Sequence, residues 1–271
     1  MKKRSRCARL ILSSAAILYG ALFADQAAML QPTRLIDAQT AGVLPKATYT
    51  FETRIYASGD TGIRGNGLCL GISIGITDRL NVGVSYGGDG LIGRGRARGN
   101  PYPGAFIKYR VIEESYILPA IALGYDHQGY GGIDPAYKGY VYKSPGFFVA
   151  LSKNYLLFSS ANLGFHGGVN FSLEELSKVK WPDGYIGLDI AVNQELAAAV
   201  EYDLGLNARD PRSTRYFNPL NGFLNAGLRW AFGPQFYIEL FAKDLLQNKV
   251  DAGNRRLGWS RELKFVYVNH L

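Results

Sequence analysis

Ten charged side chains stand where regular alternation would turn them to one side of a sheet: Glu52, Arg54, Lys108, Arg110, Asp189, Glu201, Asp203, Arg229, Glu239 and Lys264. Five are acidic and five basic, and most have apolar neighbours on both sides, as Glu239 has Ile238 and Leu240. Opposite charges facing a confined polar passage set up a transverse field that orders water and favours polar over apolar solutes. The same charges could instead pair with one another and close the interior. A second chemistry is conceivable at His166, which falls on the same side and could work with Ser73 or Ser85 and a carboxylate as a nucleophile and base. Nothing sets a serine and a histidine within reach on the opposite face, so no enzyme is expected. His127, His166 and His270 lie in different units without the paired spacing of a metal site, so neither metal nor cofactor is expected. The stretch Gly93 to Gly99, rich in Arg and Gly, lacks the Lys-Ser/Thr ending of a phosphate loop.

The elements that must position these residues are strands. Leu68, Leu70, Ile72, Ile74 and Ile76 interleave with Cys69, Gly71, Ser73 and Gly75. After Thr77, Asp78 and Arg79 the pattern resumes with Leu80, Val82, Val84 and Tyr86. A period of two gives one oily face and one small or polar face. Tight turns are expected near Asp78, Glu114, Asn154, Gln194 and Pro234, at separations of 36, 40, 40 and 40 residues. Twelve strands are expected between Tyr49 and Val268, with connections alternating long and short. A propeller also repeats near forty residues, but with four shorter strands per unit; two strands of roughly ten residues suit a bilayer crossing instead. Small inward residues, Gly71, Ser73, Gly75, Gly83, Ser85, Gly164, Gly168 and Gly187, are expected to leave space. Tyr49, Tyr86, Tyr109, Tyr125, Tyr155, Tyr202, Trp230 and Tyr267 fall near strand ends, where amphipathic rings mark a membrane boundary. Tyr130, Tyr137, Tyr140 and Tyr142 fall in a loop.

The chain has 271 residues, 47 % apolar and 13 % aromatic, with 33 Gly and 18 Tyr, which favours many strands and excludes disorder. Lys2, Lys3, Arg4, Arg6 and Arg9 precede an apolar run from Leu10 to Phe23, the pattern of a secretory signal spanning 1–24, so a mature start is expected near Asp25. Its removal lowers the formal charge from +8 to +3, and nucleic acid is not an expected partner. Cys7 would leave with it, and Cys69 alone cannot form an internal disulfide. No later run reaches the ~20 apolar residues of a membrane helix.

The segment Gly75-Ile-Thr-Asp-Arg-Leu-Asn-Val-Gly-Val-Ser-Tyr86 resembles the repeated hairpin of Gram-negative outer-membrane β-barrels, a likeness that covers about Lys46 to the C-terminus. Upstream, Leu35-Ile-Asp-Ala-Gln-Thr-Ala-Gly-Val-Leu-Pro45 resembles the segment that opens exopolysaccharide-associated barrels of the YjbH type and related barrels. The chain is much shorter than a typical member of that group, and it ends in Asn269-His-Leu271 in place of the terminal aromatic that outer-membrane assembly reads; Leu263, Phe265 and Tyr267 supply an assembly signal slightly earlier. The expected fold is therefore all-β: a single 12-stranded antiparallel transmembrane β-barrel over 46–271, with short periplasmic turns and longer extracellular loops. A short periplasmic segment, 25–45, precedes it and could fold up into the near mouth. The expected function is a porin-like passive channel for small polar solutes in a Gram-negative outer membrane. The alternative is an accessory or structural barrel in envelope or exopolysaccharide export. Basic loop residues (Arg94, Arg96, Arg98, Lys138, Lys143, Lys178, Lys180, Arg209, Arg212, Arg215, Arg255 and Arg256) would meet lipopolysaccharide phosphates or draw a polysaccharide to the mouth.

Overall fold

Alternation of side chains is realised as a sheet that meets itself. The computed structural model describes residues 32–57, 65–134, 139–142, 144–157, 161–174, 181–206, 222–249, 256 and 258–271. Its strands are β1 (Thr48–Ala57), β2 (Asn66–Thr77), β3 (Leu80–Ile92), β4 (Arg98–Gly99), β5 (Gly104–Ile112), β6 (Ala120–Asp126), β7 (Tyr130–Asp134), β8 (Gly139–Tyr142), β9 (Gly146–Leu157), β10 (Ala161–Phe171), β11 (Asp183–Ala191), β12 (Leu196–Asp203), β13 (Phe223–Phe232), β14 (Phe236–Lys243) and β15 (Ser260–His270). All but β4, β7 and β8 form a ring in which each strand pairs antiparallel with its neighbours. The first strand pairs with the last, and β2 pairs with both β1 and β3. Twelve strands thus close without an edge. Strand β4 extends β3 beyond the ring, and β7 with β8 forms a separate ribbon within the connection from β6 to β9. The signal segment and residues 25–31 lie outside the described residues, as do Lys138, Lys143, Lys178, Lys180, Arg209, Arg212, Arg215, Arg255 and Tyr137.

The two faces have opposite chemistry. Outward side chains are large and apolar, with Leu70, Val84, Phe147, Ile186, Leu228 and Leu240 all more than half exposed. Tyr86, Tyr109, Tyr155 and Trp230 stand among them. Inward side chains are buried and many are charged, including Arg54, Lys108, Glu201, Glu239, Lys243 and Glu262, with Phe148, Phe241, Val266 and Val268 among them. The polarity of a water-soluble domain is inverted.

Short connections gather at the end that also holds Thr48 and Leu271. Thr77 Oγ1 accepts from the Arg79 and Leu80 amides (3.2 and 3.0 Å), an arrangement that reverses the chain in two residues. Asn193 Oδ1 does the same for Glu195 and Leu196 (2.9 and 2.7 Å), and Gly233, at φ 74°, turns β13 into β14. One expected turn is displaced. Asn154 lies inside β9, and the chain reverses between Leu157 and Ala161. Lys153 and Asn154 read as turn residues because they are polar, yet both are committed to the neighbouring turn. Asn154 donates through its backbone and side-chain nitrogens to the Glu114 carboxylate (2.8 and 2.7 Å), and Lys153 pairs with the same group at 3.6 Å.

A sealed sheet of this kind resists detergent until heated. Unboiled protein in dodecyl sulfate should migrate faster than boiled protein on a gel, and identical mobility would show that the ring is not closed.

Candidate functional site

The inner wall carries a continuous chain of opposite charges on one arc. Register sets Arg229, Glu239, Lys264 and Arg54 side by side on β13, β14, β15 and β1. Arg229 bonds Glu239 through its Nε. Lys264 Nζ lies 3.0 Å from Glu239 and 3.4 Å from Glu52. Arg54 is 3.8 Å from Glu52 and 3.2 Å from Glu262, and Lys243 then bridges Glu262 and Asp37, each at 2.7 Å. Each charge meets an opposite one, the condition for keeping ions inside a poorly hydrated interior. The pairing runs laterally between neighbouring strands, so the opposed ladders expected across the lumen are not what these residues build.

The lumen is occupied by the chain's own N-terminal stretch. The described part of the segment expected in the periplasm, from Pro32 onward, belongs to the same compact unit as the barrel and bonds to its inner wall. The carboxylate of Glu201 accepts from the successive amides of Ile36, Asp37 and Ala38 at 2.9–3.1 Å, and from Asn225 Nδ2 at 2.8 Å. Facing it, Lys108 Nζ donates to the carbonyls of Thr33, Thr40 and Gly42 at 2.6, 3.0 and 3.2 Å. Asp126 accepts from Arg34 and from the Gln39 amide, both at 2.8 Å. These bonds satisfy main-chain groups that burial would otherwise leave stranded. Gly187 acts as a socket, since a Cβ there would lie 2.3 Å from Leu35 Cδ1; one on Gly227 would meet Phe241 first, at 2.6 Å, and then Ile36 Cγ1 at 3.3 Å.

Space expected from small inward residues is therefore largely taken. Pro45 passes over Gly75, the Tyr185 hydroxyl lies over Gly168, and His166 and Asp189 crowd Gly164. Among the described residues, a void of about 30 Å³ lies beside Gly71, Ser73, Gly83 and Ser85, faced by Arg34, Arg54, Glu52 and Asp126. A second, of about 20 Å³, lies near Leu35, Asp189 and Arg229.

The remaining sequence-derived residues do local work. Asp189 receives His166 Nε2 at 2.6 Å, and His166 Nδ1 stands 2.8 Å from Ser152 Oγ, which accepts the Ala41 amide at 2.8 Å. Ser152, and not Ser73 or Ser85, is thus the serine beside His166. Arg110 sits at the turn end, bonded to the Asp78 carbonyl (3.0 Å) and Glu113 (3.1 Å). Asp203 accepts the Gly205 amide at 2.7 Å where β12 leaves the wall. Asp126, Ser152 and Lys243 hold the segment and Glu262 backs Lys243; strand parity points each of them inward, but the lumenal set read from the sequence did not include them. Arg34, Asp37 and Gln39 carry no periodic signal.

Burial lifts the Asp37 carboxyl from 3.8 to about 6, with Glu201 and Glu262 pushing the same way and Lys243 pulling down. The docked segment therefore holds this proton more tightly than a free one. Docking should strengthen as pH falls from about 6 towards 3.8, and this contribution is lost as pH rises through about 6. Titration of 13C-labelled aspartate should place this carboxyl near pH 6 and show the midpoint falling in Glu201→Gln; an ordinary midpoint would contradict the burial.

No protein-family model matches the sequence, and no curated protein is significantly similar to it. Among solved structures, similarity is found to the outer membrane protein Omp33 of Acinetobacter baumannii (8 % identity, covering 82 % of this chain and 98 % of that one, TM-score 0.46). It is found also to the KdgM porin (9 % identity, 82 % and 99 %, TM-score 0.44) and to the COG4313 outer membrane channel of Pseudomonas putida F1 (12 % identity, 84 % and 97 %, TM-score 0.41).

Proposed function

We propose that the chain is an outer-membrane β-barrel forming a porin-like passive channel for small polar solutes. The observation that carries this reading is the inversion of polarity: an apolar exterior around a closed sheet whose interior is lined with charge. Hydrocarbon offers the backbone no hydrogen-bond partner, so a lipid-facing sheet must close, and closure creates an interior reserved for water-compatible groups. Strands of 7–13 residues in the ring are of the length that crosses a bilayer at a tilt. The expected secretory signal over 1–24 supports export to the outer membrane. Lipopolysaccharide is the expected partner of the basic loops, with Arg94 and Arg96 exposed on the described part. Ser152 and His166 are buried beneath the segment and Ser152 Oγ is bonded to the Ala41 amide, which favours a structural relay over a hydrolytic site.

One observation favours the second reading, an accessory barrel in envelope or exopolysaccharide export. The Leu35–Pro45 stretch that resembles the opening of YjbH-type barrels is the part that fills the lumen. Planar-bilayer recording separates the two. A channel should conduct, and Arg229→Glu should shift its ion preference towards cations; a folded protein without conductance would leave the accessory role. On the outer wall, Leu228→Arg should destabilise the protein in lipid by about 2–4 kcal/mol if that position faces hydrocarbon near mid-bilayer. Denaturant midpoints of the two proteins in vesicles would measure this, and an unchanged midpoint would contradict the lipid-facing assignment.

A further inference from the structure

The voids beside the N-terminal segment, about 30 and 20 Å³, have room for a water or two and not for a solute. Where the described residues of the segment line the interior, passage of a solute requires the segment to move. Its construction suits such movement. Leu35 donates to the Ala38 carbonyl (3.0 Å), Gly42 to Thr40 Oγ1 (3.1 Å), and Arg34 pairs with Gln39 in a bridge. The loop thus keeps its shape through bonds of its own. The wall holds it chiefly through ionic side chains acting on main-chain atoms: Glu201 on three N–H groups and Lys108 on three carbonyls. Both side chains would be hydrated in a water-filled lumen, so release exchanges each bond for one to water, with a small net cost per bond. The fixed end is defined as well. Ala47 takes φ 61°, unusual for a residue with a Cβ, and is pinned by bonds to Gly75 and Leu271 at 2.8 Å each.

We propose that Pro32–Gly42 is a gate that docks as a preformed loop and swings out of the lumen ahead of the fixed point at Ala47, with Glu201 and Lys108 setting the balance between closed and open. This rests on the channel reading and adds its regulation. Opening also removes Arg34 from Asp126 and Asp37 from Lys243, so these two wall groups become hydrated along with Glu201 and Lys108.

Single-channel recording of the full chain tests the gate through open fraction, which is separable from the size of each opening. Glu201→Ala and Lys108→Met should each raise the open fraction on the order of tenfold, as expected for loss of a multiply bonded ionic grip. In a chain whose own Cys7 and Cys69 are changed to Ser, Asp37→Cys with Lys243→Cys joined by a short reducible thiol cross-linker should hold the channel shut, and a reductant should restore opening. Cross-linked protein that conducts like untreated protein would overturn the gate, as would an open fraction unaltered by Glu201→Ala. A variant lacking 32–42 that stays heat-modifiable should conduct continuously. If it carries no current, the channel reading itself falls, and the gate with it.

Discussion

Every feature of this barrel depends on the need of a lipid-facing backbone to find its hydrogen bonds within the protein. An open sheet would leave a row of amides and carbonyls on each edge at several kcal/mol per group. Pairing β1 with β15, and β2 with both β1 and β3, removes the edges. Closure then divides side chains strictly by parity, since neighbouring residues on a strand face opposite media. A one-residue slip of β14 would turn Glu239 and Lys243 to the apolar side and Leu240 to the charged side, so the register is defended by both faces at once.

Parity creates an interior with many charges and little water, and that arrangement is stable only when each charge has a partner. The run from Arg229 through Glu239, Lys264, Glu52, Arg54, Glu262 and Lys243 to Asp37 alternates in sign throughout and is completed by a residue of the N-terminal segment. Removing a single member strands its neighbour, which costs more than the intact pair contributes. The barrel wall and the segment inside it are therefore one electrostatic unit, although they are separate stretches of sequence.

The wall was legible in the sequence because alternation is a local property. Leu68 to Ile76 and Leu80 to Tyr86 announce a hairpin without reference to anything distant, and the twelve-strand count follows by repetition. Asn154 shows where such reading fails: a polar residue that bonds a neighbouring turn has the same composition signal as one that makes a turn. The lumenal segment was legible only as an undecorated stretch before the first strand. Arg34, Asp37 and Gln39 are polar in no periodic order, and their partners lie between 87 and 206 residues away. Glycine at 187 looked like open space for the same reason, because the side chain that fills it belongs to Leu35.

The position of the occupying segment in the chain also matters physically. A loop inserted between two strands contributes to the closure of the ring, whereas a stretch ahead of β1 does not. Its departure leaves all twelve ring pairings intact. Its apolar hold comes from Leu35 over Gly187, Ile36 beside Gly227 and Ala41 clustered with Ala120 and Ala122, and its polar hold from bonds that water can replace. Stability of the ring and occupancy of its interior are thus governed by different forces: backbone pairing in hydrocarbon for the first, competition between water and a few ionic side chains for the second. Such a separation allows the contents of a barrel to change while its wall does not.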